Sequence, residues 1–463
     1  MSQKGIGRLI QVGVAKEVTR GTAIGSAAYW NPWMDLTLDE KKEFVSDEQA
    51  YGIIENNVNQ SQTKKYAGGS IQGNLADQTA GLIFYSQFGG YAVTAHGAEA
   101  AVYDHTFSVG QTAQHKSLTY FLHDILSGQD YNHANGVVEK LEITAELKKF
   151  IMFNASIMAL TGAAQSAFTP STTSENRFLP QYMSAQFSPQ IAGLVKAQTA
   201  TGTAATTIHV TALSISTDLL AVGMYVIGTN ITNGTTIASM VSNTAFDLSG
   251  ASTGNAGTMY FGTQYATGTA SSTIHVTSLS VITTASLRVG QTVMGANIPA
   301  GATIAAIVSS TAFDLSVATT GAAGAMVFGG AVVALKNAKV TINGNVESQD
   351  VLGSLSPADF LNKEFSVEGS FEAIWQNESD TKTAFMGPTA QAMLLDFKNS
   401  DVTIGTAANP EFQITMPKVT FTELGRPFKV KDLVYQTVKF KASYSVTDTY
   451  MIKAILTNTI STY

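Results

Sequence analysis

Five of the seven histidines fall in one stretch, His96, His105, His115, His123 and His133, with Asp104, Asp124 and Asp130 among them. Imidazoles and carboxylates together can hold a divalent metal and activate a water, or relay protons in a hydrolysis. Either chemistry needs the groups to converge, and compact ligand sets have short spacings such as HExxH. Here the spacing is about ten residues, so polar strands and loops carry the rings to separate places. His209 and His275 form a second pair, with only one or two carboxylates in reach of each. Structural or surface histidines are the expectation at all seven positions.

Other chemistry is equally sparse. The chain has no P-loop, no GxGxxG, no GxSxG and no HExxH. Asn233, Gly234 and Thr235 make a glycosylation sequon, expected to be empty without a secretory leader. Asp39 and Glu40 are adjacent, and on a strand they point to opposite faces rather than forming an acid–base pair. No catalytic residue, cofactor or metal is expected, and the chain reads as a non-enzyme.

The composition agrees with a structural role. The chain has 463 residues, enough for two to four domains, and 44% are hydrophobic. Charged residues make up 13%, about half the usual share of roughly 25%, as for a surface covered by neighbours. A net charge of -7 argues against sequence-independent DNA binding, which needs a basic face. It leaves room for a surface past which DNA slides. There is no cysteine, hence no disulfide and no thiolate site. No membrane span of about 20 apolar residues is found, and a cytoplasmic origin is expected.

The elements are strands. Phe412, Ile414 and Met416 alternate with polar residues, and after Pro417 the phase flips to Val419 and Phe421. A proline at a phase flip suggests a bulge or an edge. Val438, Phe440, Ala442 and Tyr444 alternate with Lys439, Lys441 and Ser443, which makes a hairpin with one dry face and one lysine-rich face. Leu141 to Leu147 and Ile151 to Ile157 repeat that grammar. Ser70 to Gly89 reads as a strand then a short helix. Val333 to Ile342 and Phe365 to Trp375 are further strands, and Glu378 to Met386 is helix-like.

Between them lies an internal repeat. TGTAATTIHVTALS from Thr201 returns as TGTASSTIHVTSLS from Thr267, and Phe246-Asp247-Leu248 returns as Phe313-Asp314-Leu315. Each copy reads as a small all-β module, two beads on the chain. The expected division is 1–195, a first β domain; 196–262 and 263–331, the repeats; and 332–463, a second β domain. YAGGSIQGNL at Tyr66 and KEFSVEGSFEAIW at Lys363 occupy corresponding places, so the two flanking domains look duplicated.

The flanks resemble the tail tube (major tail) proteins of long-tailed phages with non-contractile tails. GRLIQVGVAKEVTRGTAIGSAAYWNPWMDLTLDEKKEFVSDEQAYGIIE and YAGGSIQGNL carry the resemblance at one end. ADFLNKEFSVEGSFEAIW, DVTIG, FQITMPKVTFTE, DLVYQTVKFKASY and ILTNTISTY carry it at the other. It covers residues 1 to about 195 and 332 to 463. The repeats look like the Ig-like β modules that decorate phage tails.

The resemblance implies two tandem β-barrel or sandwich domains, each with a short flanking helix, with the repeats projecting outward. It implies a virion protein, assembled in the host cytoplasm, whose copies close into rings. A trimer with pseudo-sixfold symmetry is expected, alternatively a hexamer. Rings would stack into a tube that passes double-stranded DNA during genome ejection. Implied partners are copies of the chain, a tape measure protein, and tail terminator or baseplate proteins, with no membrane and no specific DNA contact. Asp39, Glu40, Glu43, Asp47 and Glu48 are the candidate inter-ring or lumen-facing arm. Phe365, Val367, Phe371, Val438 and Phe440 are the candidate inter-subunit strands. Two competing readings are a secreted or surface adhesin whose β modules bind glycan or receptor, and a hydrolase using the histidine-rich stretch.

Overall fold

The alternating segments become long antiparallel strands. The computed structural model describes residues 6–463, apart from 56–58, 97–98, 100, 112–113, 189–193, 195–197, 205, 216–219, 221, 243, 375–381, 388–389 and 429–433. The described residues are mainly β. The main strands of the body are β1 (Gln11–Lys16), β2 (Asp35–Ser46), β3 (Gln60–Asn74), β4 (Tyr103–Val109), β5 (Leu118–His123), β6 (Asp130–Glu146) and β7 (Met152–Ala159). They continue as β8 (Met183–Ser188), β9 (Leu335–Asn343), β10 (Ser366–Ile374), β11 (Gln391–Lys398), β12 (Glu411–Gly425), β13 (Tyr435–Ala442) and β14 (Lys453–Asn458). The helices are α1 (Gly81–Phe88) and α2 (Lys382–Met386). Trp375 and residues 378–381 of the expected helix lie outside the described residues.

Eight strands run side by side in the order β2-β3-β7-β6-β9-β10-β13-β12, every neighbour antiparallel. The period-two pattern gives this sheet a dry face. Ile71, Leu141, Ile143, Phe153, Val340, Ile342, Val367, Phe371, Val438 and Phe440 all enter one core cluster. Each large side chain so buried contributes roughly 1.5–3 kcal/mol over leaving it exposed.

A second layer closes that core. In it β1 pairs β5, β5 pairs the first part of β6, β8 pairs β11, and the first part of β12 lies between β11 and β14. α1 is buried along its length except at Tyr85, including the polar Ser86 and Gln87, so it carries no single wet stripe. β6 and β12 each serve both layers. β6 changes layer at an irregularity between Val138 and Lys140. β12 does so at the register shift between Met416 and Val419, with the buried Pro417 at the step. The phase flip in the sequence is therefore a bulge, which bends the strand.

The body repeats its own plan. A 3-10 turn, β1, the β2–β3 hairpin, α1, β5 and the β6–β7 hairpin are followed by a 3-10 turn, β8, the β9–β10 hairpin, α2, β11 and the β12–β13 hairpin. Within the sheet each half reads first strand, second strand, fourth, third. Gly73 faces Phe153 in one half and Gly369 faces Phe440 in the other, which fixes the correspondence residue by residue.

Two expectations are corrected by this plan. The halves do not have separate cores, because β6 of the first is bonded to β9 of the second and both feed the same cluster. The repeats do not sit between two domains. They interrupt the second half after its first strand β8, since Pro180–Ser188 corresponds to Gly7–Lys16. The chain returns from the repeats through Ala322–Val332, whose end pairs β8 again.

Each repeat has its own core, around Phe246 and Phe261 in one and Phe313 and Phe328 in the other. They are not independent beads. Ile227, Tyr265 and Val327 are buried together between them, and the rings of Tyr225 and Tyr265 stack at 5.5 Å. The second module rests on the body, with the Arg288 guanidinium 5.2 Å from the Phe187 ring.

Candidate assembly edges and the polar face

The fold disperses the histidines. His96 bonds Asp104 and His123 bonds Asp130, both at 2.8 Å. His133 donates to the Leu160 carbonyl at 3.1 Å. His105 lies between the Tyr91 hydroxyl and the Asn458 side chain, each at 2.9 Å. His115 is buried with its ring against Gly89. Burial holds the last three below the ordinary histidine pKa. His209 and His275 make equivalent surface pairs with Asp247 at 2.7 Å and Asp314 at 2.6 Å. Among the described residues no group of three or more His, Cys, Asp or Glu is placed to hold a metal. Each ring fastens its own neighbourhood.

The acidic stretch forms part of a ribbon. β3 leaves its neighbour β7 at the Ala67–Ala159 pair, yet β2 and β3 stay paired out to Ser46 and Gln60. The polar stretch from Asn56 to Lys65 is strand from Gln60 onward, polar because a two-stranded ribbon is wet on both sides. Residues 56–58 of it lie outside the described residues. Asp39 shares a face with Asp35, and Glu40 on the opposite side accepts the Gly162 amide at 2.7 Å. Glu43 lies 3.6 Å from Lys64. Asp47 takes the Tyr51 hydroxyl at 2.7 Å and the Gln49 amide at 3.0 Å, bonds that hold its carboxyl below the usual range. Glu48 is exposed. Lys64 braces the ribbon through Asp350 at 3.1 Å. Beyond these bonds the tip presents exposed Phe44, Val45, Ile53 and Ile54.

The candidate inter-subunit residues are placed differently from the expectation. β10 is bonded to β9 and β13, and β13 to β10 and β12, so neither strand has a spare edge. Val367, Phe371, Val438 and Phe440 are buried in this chain's own core, and Phe365 packs partly buried against the ring of Phe88 at 6.1 Å. The spare edges lie at the two ends of the sheet. β2 pairs only β3 along its whole length, and β12 from Thr420 to Gly425 pairs only β13, among the described residues. Both edges escaped the sequence reading because alternation marks a strand's faces but not its neighbours. The internal duplication was the available signal.

The second face of the sheet is mostly polar, with Met152, Met158 and Ile374 among its residues. One row crosses all eight strands: Asp35, Gln72, Asn154, Glu142, Thr341, Glu368, Lys441 and Thr420. Neighbouring rows place Glu372 beside Thr437, Lys339 beside Ser370 and Lys439 beside Glu423. At the seam between halves Glu142 meets Lys140 at 2.6 Å and Lys339 at 3.0 Å. Burial pushes its carboxyl up, but the bonds and charges of the two lysines outweigh that and hold it below the usual range. The face is thus a lattice of short amides, hydroxyls and paired charges, without a block of unpaired lysines that would grip phosphate.

No helix among the described residues is long and apolar enough to cross a membrane. No protein-family model and no curated protein matches the chain.

Proposed function

We propose that the chain is a structural subunit of a phage tail tube, joining copies of itself head to tail into a closed ring, with rings stacked into a hollow conduit for double-stranded DNA. The observation that carries this is the seam between β6 and β9. There the last strand of one half is bonded to the first strand of the next. The two end strands of the eight-stranded sheet, β2 and, from Thr420 to Gly425, β12, repeat the two sides of that seam and have no strand on their outer edges among the described residues.

A second copy presenting β2 to β12 extends the sheet by the rule already used inside the chain. Such a contact is heterologous, and when its rotation closes it makes a ring. Three chains supply six halves. The polar face becomes the inner wall, where paired charges let DNA pass. The ribbon tips and their apolar residues point along the axis toward the next ring, and the repeats stand on the layer away from the channel.

The seam register carried to the outer edges brings Thr420 opposite Asp35, closing the polar row on itself. Opposed residues in antiparallel strands are about 4.5–5.5 Å apart, within disulfide reach. Because the chain has no cysteine, a variant carrying both Asp35→Cys and Thr420→Cys has no other thiol. Electron micrographs of the natural protein should give rings or rods. The oxidised double variant should run as closed multimers, and each single variant as a monomer. A natural protein that stays monomeric at high concentration, with no cross-linking in the double variant, overturns the proposal.

A further inference from the structure

We infer that the groove beside Trp33 and Met34 is a socket for the end of β12 of the adjoining copy, so that the ring joint has an apolar anchor as well as strand pairing. The inference rests on the tube reading and adds to it a specific surface and its occupant.

The argument compares two cavities. One lies at the internal seam. Its walls are the 3-10 turn and first strand of the second half (Pro180, Met183), the start of β9 (Val333, Leu335) and the end of β6 (Ala145, Leu147), and its volume is about 180 Å³. The other lies at the start of the first half. Gly7 and Ile10 stand where Pro180 and Met183 stand, and Trp30 and Asn31 take the place of Lys336 and Asn337, with Trp33 and Met34 beside them. It measures about 860 Å³. Trp33 Nε1 donates to the Ile10 carbonyl at 2.9 Å, tying its two walls together. Besides Thr172, nothing among the described residues stands where the end of β6 forms the third wall at the seam, because the first half has no preceding half in its own chain.

The duplication names that wall. Ala145 faces Ile151's side of its hairpin as Leu424 faces Val438, so the counterpart of the Ala145–Leu147 segment is Leu424–Arg426 of another copy. Phe428, just beyond, is 74% exposed, and Met34 at the groove is 60% exposed. Two apolar side chains left in water within one chain are each placed at an edge that the ring joint would bring together. Burying such a pair favours association.

Met34→Asp and Phe428→Asp are the test, since both side chains are exposed and the lone chain should fold unchanged, with the same melting temperature. Each variant should raise the concentration needed for ring or rod formation at least tenfold over the natural protein. The Met34→Cys and Thr422→Cys double variant should be joined between chains by a short bismaleimide, since the seam register places Met34 opposite Phe421. Variants that assemble at the natural concentration, with no inter-chain product, overturn the socket while leaving the tube standing. A natural chain that never assembles overturns both.

Discussion

Gly369 lies directly beneath the ring of Phe440, close enough that a Cβ placed on it would come within 2.4 Å of Cζ. Gly73 and Phe153 repeat the relationship in the first half, where the corresponding Cβ would sit 3.3 Å from the ring. The tighter site also crowds the Lys339 carbonyl at 2.3 Å, against 2.9 Å from Gly73 to the Pro32 carbonyl, so the shift needed at Gly369 is the larger. Gly369→Ala should cost about 1–3 kcal/mol by overpacking, and Gly73→Ala less. Urea unfolding of the two variants gives the comparison. Equal midpoints, or a Gly369→Ala protein as stable as the natural one, would contradict the packing described.

Acid should weaken the seam through Glu142. Its folded pKa lies below the ordinary glutamate range, so its contribution is complete above the unfolded pKa and disappears as the pH falls through the folded one. Both partners of the Lys339 pair are partly exposed, at 19% for Glu142 and 44% for Lys339, which limits the effect. Glu142→Gln should lose ~0.5–1 kcal/mol near neutral pH, and the difference from the natural protein should shrink as acid titrates the folded carboxyl and vanish below its depressed pKa. A pH-independent difference would mean that packing, not charge, sets the cost.

Removing the repeats should leave the body intact. Replacing residues 198–328 by a short flexible linker keeps Gln186 and Phe187 paired with Val332 and Ala331. The body cluster contains no residue of that span. Stripping the buried Arg288 from Phe187 loses a cation–π contact, about 2 kcal/mol for a desolvated pair. The shortened chain should fold cooperatively and still form rods, thinner by the lost knobs. Loss of rods with folding retained would move the repeats into the wall.

Positive charge added to the polar face should make the conduit sticky. Asn154→Lys with Thr341→Lys adds two cations to the row that already holds Lys441. Rods of this variant should retain double-stranded DNA in a salt-dependent way, each phosphate contact steepening the salt slope by about one. Natural rods should not retain it. Indifference to the two lysines would take this face off the channel.

The faces of the strands were legible in the sequence and their neighbours were not. Val438, Phe440 and Ala442 alternate with lysines, and those are the buried and wet sides found. Pro417 marked its bulge. Ser70 to Gly89 resolved into the end of β3 and α1. The repeats at Thr201 and Thr267 fold as separate-cored modules. The β6–β9 seam joins residues some two hundred positions apart, and any alternating edge would match any other by pattern. The kinship of β1 and β8 was hidden because the repeats interrupt the second copy one strand in. The buried core positions of β10 and β13 were mistaken for joints because an apolar face looks the same whether it is covered from within or by a neighbour.

Fusing the halves has a further result. A ring of identical small units must use the same residues at every joint, so each substitution is tested everywhere at once. Here the charged contact of Glu142 with Lys339 occupies one joint, while Thr420 and Trp33 stand at the matching positions of the other. In the ring proposed above the two kinds of joint could therefore be altered separately, and the one within the chain forms at a rate that dilution cannot slow.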